Sequence, residues 1–139
     1  MNYWIFVTSP ENWKVTKEKN VLGYSERYSN TLSRVHKGDK CLLYITGESA
    51  IDGKYVIDSE VYHDATRIFH TPPTKPNETY PLRLKLHRVT APTEPIAFKP
   101  LVSKLSSIKN KQWWARTFHG NASLSIPEED YKNIVSALK

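Results

Sequence analysis

Apolar positions recur along this chain with two different periods, and each period marks a kind of element. The cleanest alternation is "LRLKLHRV", residues 82–89. Leu82, Leu84 and Leu86 fall on one side, and Arg83, Lys85 and His87 on the other. That pattern predicts a strand with one face covered and one face wet. "NYWIFVT", residues 2–8, is rich in aromatic and β-branched residues and reads as a first strand. "DKCLLYIT", residues 39–46, is apolar without alternation, so it predicts a strand covered on both faces. "GESAIDG" reads as a turn, and "KYVIDSEVYHD" as the hairpin partner that follows it. "ASLSI", residues 122–126, offers a last strand.

The helical period is strongest in "PEEDYKNIVSAL", residues 127–138. Tyr131, Ile134, Val135 and Leu138 form one stripe. Pro127 and the acids behind it suit a first turn, where negative charge meets the positive end of the helix dipole. "SPENWKVTKEK" predicts another helix, with Ser9 as N-cap and Pro10 at the first helical position. Gly23 is expected to break the chain. A short helix is expected in "NTLSRV", stopping before Gly38, and another in "FKPLVSKLSSI" after Pro100. The four prolines of "TPPTKPNETYP", residues 71–81, require a loop. Strands and helices are interspersed with hairpin-like pairs, so the expected fold is α+β, a curved, largely antiparallel sheet flanked by helices.

Composition narrows the class. The 139 residues fit one domain, residues 1–139, around one core. Hydrophobic residues at 39% and charged residues at 24% are those of an ordinary globular protein. The lone cysteine, Cys41, lies in the apolar run "CLLYI". It excludes a disulfide within the chain and a cysteine zinc site, and reads as a buried small hydrophobe. The first residues lack a secretory pattern, and no apolar stretch approaches the ~18 residues of a membrane span. A cytoplasmic monomer with no membrane contact is the expectation. The net charge of +6 points towards a polyanion, while a basic protein with no nucleic-acid partner stays open as the alternative.

Candidate chemistry favours binding over catalysis. His36, His63, His70, His87 and His119 show no metal-ligand spacing, and no HExxH, paired CxxC or glycine-rich phosphate loop is present. No nucleophile elbow surrounds a serine. Glu128, Glu129 and Asp130 are explained by helix-dipole compensation. No enzyme, cofactor or metal is therefore expected. Aromatic residues make up 12% of the chain, with four Trp and eight Tyr. Several are interleaved with basic and small polar residues, as in "GYSERYSN" and "KNKQWWAR". Such rings hold bases that have left their stack. Taken singly, each tryptophan is better explained as core, and only the group taken together points to binding.

Together, "YWIFVTSPENW", "GYSERYSNTLSRVHKGDK", "ETYPLRLKL", "IKNKQWW" and "IPEEDY" resemble the EVE domain family of PUA-like proteins, from Tyr3 to about Leu138. The similarity is near to stand-alone archaeal and bacterial members and more distant to thymocyte nuclear protein. It implies a PUA-like fold, a mixed, largely antiparallel, barrel-like sheet with helices around it. It also implies kinship with YTH domains, which hold a methylated adenine in an aromatic cage, and a role in reading modified bases in DNA or RNA.

Carried onto this chain, the resemblance places a pocket beside the end of the first strand. Ser9 stands where related readers turn a hydroxyl or amide to the base. Leu22 stands where family members often carry a tryptophan before the glycine, so one stacking wall of the cage is missing. Tyr24 substitutes for it, with Asn30 and Thr31 as hydrogen-bonding groups. Phe69 and Tyr80 flank the opposite loop, and Arg83 starts the next strand on its polar face. Trp13 either lines the pocket or packs inward. Of the adjacent tryptophans, Trp114 is expected at the pocket or surface, with Phe118 as the inward anchor. Arg34, Lys37, Lys109, Lys111 and Arg116 are the candidate backbone contacts, or else a solvated face. The expected function is a nucleic-acid-binding module that recognises a base, modified or not, through an aromatic pocket with a basic rim. A nucleoside-like small-molecule sensor or a protein-interaction module is the alternative, and a base-processing enzyme the third reading.

Overall fold

The computed structural model describes residues 1–90, 94–118 and 120–138. Among the described residues, eight strands and three helices follow one another as β1 (Tyr3–Thr8), α1 (Pro10–Lys19), β2 (Val21–Tyr24), α2 (Ser29–Leu32), β3 (Lys40–Ile45), β4 (Ala50–Ile57), β5 (Tyr62–His63), β6 (Leu82–Thr90), β7 (Ile96–Ala97), β8 (Ser123–Ile126) and α3 (Glu128–Ala137). Three 3-10 segments, Glu26–Tyr28, Lys99–Lys104 and Trp114–Phe118, complete the set.

The strands form one mixed sheet in the order β2-β6-β4-β3-β1-β8, with β5 added to β6 and β7 to β4. Only β1 and β3 pair in parallel among the described strands, with Tyr3 opposite Lys40 and Thr8 opposite Ile45. The sheet curls. The Tyr24 hydroxyl, on the first strand of the order, donates to the Val7 carbonyl on the fifth at 2.9 Å. The fold is thus α+β, a curled half-barrel with helices around it.

Alternation along the strands sends side chains to both faces, and both are covered. Trp4, Phe6, Cys41, Leu43, Tyr55, Leu84 and Leu86 fill the inside of the curl with Leu22, Leu32 and Val35. Ile5, Leu42, Tyr44 and Ile51 face outward, beneath Phe98, Leu101, Val102, Phe118, Tyr131 and Ile134. The stripe predicted on α3 is the lid of this outer core. Asp130 fastens it. Its carboxylate accepts from the backbone N–H and hydroxyl groups of both Ser106 and Ser107 at 2.6–3.1 Å. Those bonds hold its pKa below the usual carboxylate value despite the desolvation that opposes them. Asp130 is therefore a clamp between segments, a role beyond the dipole compensation expected of it.

Two local expectations fail. Gly23 does not break the chain but lies within β2, opposite Arg83. A Cβ there would overlap the Phe69 ring and come within 2.9 Å of the Tyr80 carbonyl oxygen. The glycine is required by close approach and not by a turn. The expected "GESAIDG" turn is also shorter, since β4 already begins at Ala50.

Candidate functional site

A cleft of about 510 Å³ opens where β1 ends. Its position follows from the chain direction. Thr8 closes β1, Ser9 turns the backbone, and α1 starts at Pro10. The Ser9 hydroxyl accepts from the Asn12 N–H at 3.2 Å, as an N-cap should. Ser9 and the first turn of α1 thus form one wall. Tyr24 and Ser25 at the end of β2, with Arg27 and Tyr28 beyond it, form a second. Asn121 and Ala122, just before β8, form a third.

The fourth wall is the proline loop, through His70, Pro72, Pro73, Lys75 and Tyr80. This loop is fastened at both ends. Asn12 pairs with His70 as a neighbouring strand would, its amide donating to the His70 carbonyl at 3.0 Å and its Oδ1 accepting the His70 N–H at 2.6 Å. At the other end the Arg83 guanidinium donates to the carbonyls of Tyr80, Thr66 and Thr79 at 2.9, 2.5 and 3.0 Å. The Glu78 carboxylate accepts the N–H groups of Thr79 and Tyr80. These contacts hold Tyr80 at a φ of 50°, a left-handed conformation uncommon for an aromatic residue. Phe69 stands edge-on to Tyr80 and lies 5.0 Å from the Arg83 guanidinium.

Three tyrosines, Tyr24, Tyr28 and Tyr80, therefore wall the cleft. Burial raises the pKa of Tyr24 and Tyr80, so both phenols remain protonated near neutrality. Tyr28 is locked by its hydroxyl, which donates to the Gly120 carbonyl at 3.0 Å and accepts from Arg27. Arg27 and Lys75 supply the basic rim, with the His70 ring beside them, against Glu11 alone among the described acids. The arrangement can cover a flat group on several sides and hold anionic groups at its mouth.

The sequence model of the EVE domain matches residues 2–137. This chain belongs to the EVE domain family. A UPF0310 protein of Pyrococcus abyssi is 45% identical to this EVE domain over 148 residues, covering 99% of this chain and 100% of its own. Among solved structures, human THYN1 in complex with 5-methylcytosine containing DNA superposes with a TM-score of 0.67 at 15% identity, covering 100% of this chain and 98% of that one. The YTH domain of Zygosaccharomyces rouxii MRB1 in complex with N6-methyladenosine RNA gives 0.64 at 15% identity, over 99% and 87% of the two chains. At these identities the structural likeness establishes the PUA-like fold.

Within this EVE domain, the residues singled out from sequence divide into groups. Ser9, Tyr24 and Tyr80 meet in the cleft. Phe69 lies behind Tyr80, supporting it. Leu22 is 1% exposed and belongs to the inner core. Trp13 packs against that core, with its indole N–H donating to Asp52 at 2.8 Å and Lys17 over its ring. It anchors α1 and does not line the cleft. Arg83 is 2% exposed, contrary to its expected place on a wet face, because the proline loop covers it. Asn30 is exposed on α2, and Thr31 and Arg34 line a neighbouring groove. Lys37 is exposed, and its backbone N–H donates to Glu60.

The tryptophan pair is the reverse of the expectation. Trp114 packs into the outer core against Tyr44 and Phe98, while Trp113 is 52% exposed beneath Arg116. Phe118 does point inward, stacked on Tyr44 at 4.0 Å between ring centroids. Lys111 is tied to the Leu105 carbonyl, and Lys109 is exposed. Asn12, Arg27, Tyr28, His70, Lys75 and Asn121 were not among the expected cleft residues. Only Tyr28 and Arg27 carried a signal, in the aromatic-basic run "GYSERYSN".

No helix among the described residues is long and apolar enough to cross a membrane. Burial, with Asp39 nearby, pushes the Cys41 thiol up, away from nucleophilic character.

Proposed function

We propose that this EVE domain binds nucleic acid by taking one base, unpaired or flipped, into the cleft at the end of β1. The observation that carries this reading is the meeting of Tyr24, Tyr28 and Tyr80 around a space bordered by Arg27, Lys75 and His70. Rings supply stacking surface that any base can use, and the cations hold the flanking phosphates. The solved complexes of the same fold support it, since one holds 5-methylcytosine containing DNA and the other N6-methyladenosine RNA. Leu22 lies in the core, so the cage here rests on tyrosines. A methyl group on the base would add about 0.8 kcal/mol where it meets an apolar surface.

The site acts by binding and not by turnover. The acid at the cleft, Glu11, sits in the first turn of α1, where the helix dipole already accounts for it.

Titration of short single strands, plain or carrying 5-methylcytosine or N6-methyladenine, at two salt concentrations tests this reading. Binding should strengthen as salt falls, and Tyr80→Ala should weaken it at least about tenfold. Absence of binding by every strand at low salt overturns it. Salt-independent binding of a free nucleoside, with no gain from the strand, identifies a small-molecule sensor in its place.

A further inference from the structure

A second groove, of about 350 Å³, lies beside the cleft and is lined by Asn2, Trp4, Thr31, Arg34, Asn121, Ser123, Leu124 and Ser125. We propose that it holds the sugar–phosphate backbone of the nucleotides flanking the captured base; the inference rests on the base-binding reading above.

The argument begins with the alternation of "ASLSI". Ser123 pairs with Phe6 and Ser125 with Trp4, so both serines share the inner face of the sheet with two core aromatics. Leu124 pairs with Ile5 on the outer face. The inner face of β1 is apolar, yet its neighbour β8 presents hydroxyls there. β8 also ends the sheet order. Its inner face is a polar margin to an apolar curl.

The chemistry of that margin is that of a backbone site. Its side-chain polar groups are hydroxyls, carboxamides, one guanidinium and the Trp4 indole N–H, which already donates to Asp39, and no acid is among the described lining residues. Arg34 has no ion-pair partner among the described residues. An uncompensated guanidinium amid hydroxyls and amides matches phosphate and sugar oxygens. The Ser123 hydroxyl is shut from solvent without a hydrogen-bond partner among the described residues. A buried hydroxyl in that state is unfavourable.

Continuity with the cleft gives the path. Asn121 lines both spaces. The run from Glu26 to Arg34 flanks both as well, with Arg27 and Tyr28 at the cleft and Thr31 and Arg34 at the groove. One cation thus serves each space from one short stretch of chain. A strand whose base enters the cleft passes over Asn121 into the groove.

Two ligands separate this inference from the reading it rests on. A free modified nucleoside, 5-methyl-2′-deoxycytidine or N6-methyladenosine, fills only the cleft. A short single strand carrying the same base fills both. Arg34→Ala should weaken strand binding about tenfold and lower the log–log salt slope by about 0.7. Nucleoside saturation, followed by NMR shifts of the cleft tyrosines, should match that of the unaltered protein. Ser123→Ala, which removes only the hydroxyl, should weaken the strand by a smaller factor in the same direction. Strand affinity and salt slope unchanged in Arg34→Ala, with Tyr80→Ala still damaging, overturn the groove and leave the cleft standing. Failure of nucleoside and strand alike to bind the unaltered protein overturns both.

Discussion

Two irregular segments of this EVE domain look alike as strings and behave oppositely as structure. Residues 64–81 and residues 109–118 both set aromatic rings among cations and lack regular strands over most of their length. The first is fastened by Arg83 and Asn12, and it turns Tyr80 into the cleft. The second spends Trp114 and Phe118 on the outer core and leaves Trp113 in solvent. The difference lies in what each segment covers. One borders the open end of the curl, while the other caps an apolar face already rich in rings. An aromatic beside a cation is therefore not a binding signal in itself. The backbone's route over the sheet decides.

The most severe way to break the comparison is at Arg83. Arg83→Met removes three N–H donors from the carbonyls of Thr66, Thr79 and Tyr80 in part-buried hydrogen bonds and should cost about 3–4 kcal/mol in urea denaturation. Hydrogen exchange should quicken across residues 64–81 and not across 109–118. Full protection of the proline loop in that variant would deny the clasp its role.

Trp114→Ala comes next. The half-buried ring should cost about 2–3 kcal/mol of stability while base binding stays intact. A loss of binding without a loss of stability would place the ring in a site after all. Tyr80→Ala should show the reverse pattern. Affinity falls by about 1.4–3 kcal/mol, and the melting temperature changes little, since the lost contacts are partly exposed. Trp113→Ala should be the quietest of the tryptophan and tyrosine changes, within about 0.5 kcal/mol in stability.

Smallest is a pH effect outside both segments. Glu60 raises the pKa of His36 through a 2.7 Å hydrogen bond, and its own pKa is lowered by that bond. The pair's contribution is present below the ordinary histidine value of about 6.5 and is lost as pH rises through the raised one. At the acid end it is lost as pH falls through the lowered Glu60 value. Glu60→Gln should flatten the slight gain in melting temperature between neutral and mildly acidic buffer. Both groups are exposed, so the gain is shallow.

Much of the architecture was legible because periodicity and capping are local. Ser9, Pro10, the alternating leucines and the stripe on α3 each declare their element within a few residues. The location of the cleft, beside Ser9 at the end of the first strand, came from the family resemblance. What was not legible depends on distant cover. The Arg83 alternation reads as wet until the proline loop is laid over it. Gly23 reads as a break until Phe69 is placed against it. Leu22 faces the inner core because its partner is Leu84, and that register is invisible from Leu22 itself. Adjacent tryptophans announce that one goes each way, but not which. The carboxamide of Asn12, acting as a stretch of backbone towards His70, carries no sequence mark.

The pairing of β1 with β8 has a kinetic consequence. The partners Phe6 and Ser123 are far apart in the chain, and the cleft is assembled from residues near 9, 24, 75 and 121. Contacts of such long sequence separation close late, after the entropy of the intervening loop has been overcome. The β3–β4 hairpin closes over a short turn at little loop-closure cost, but a base finds its pocket only when the last strand has docked. Ligand capture during refolding is then a clock for the final step, and it should lag behind the burial of the hairpin's tyrosines.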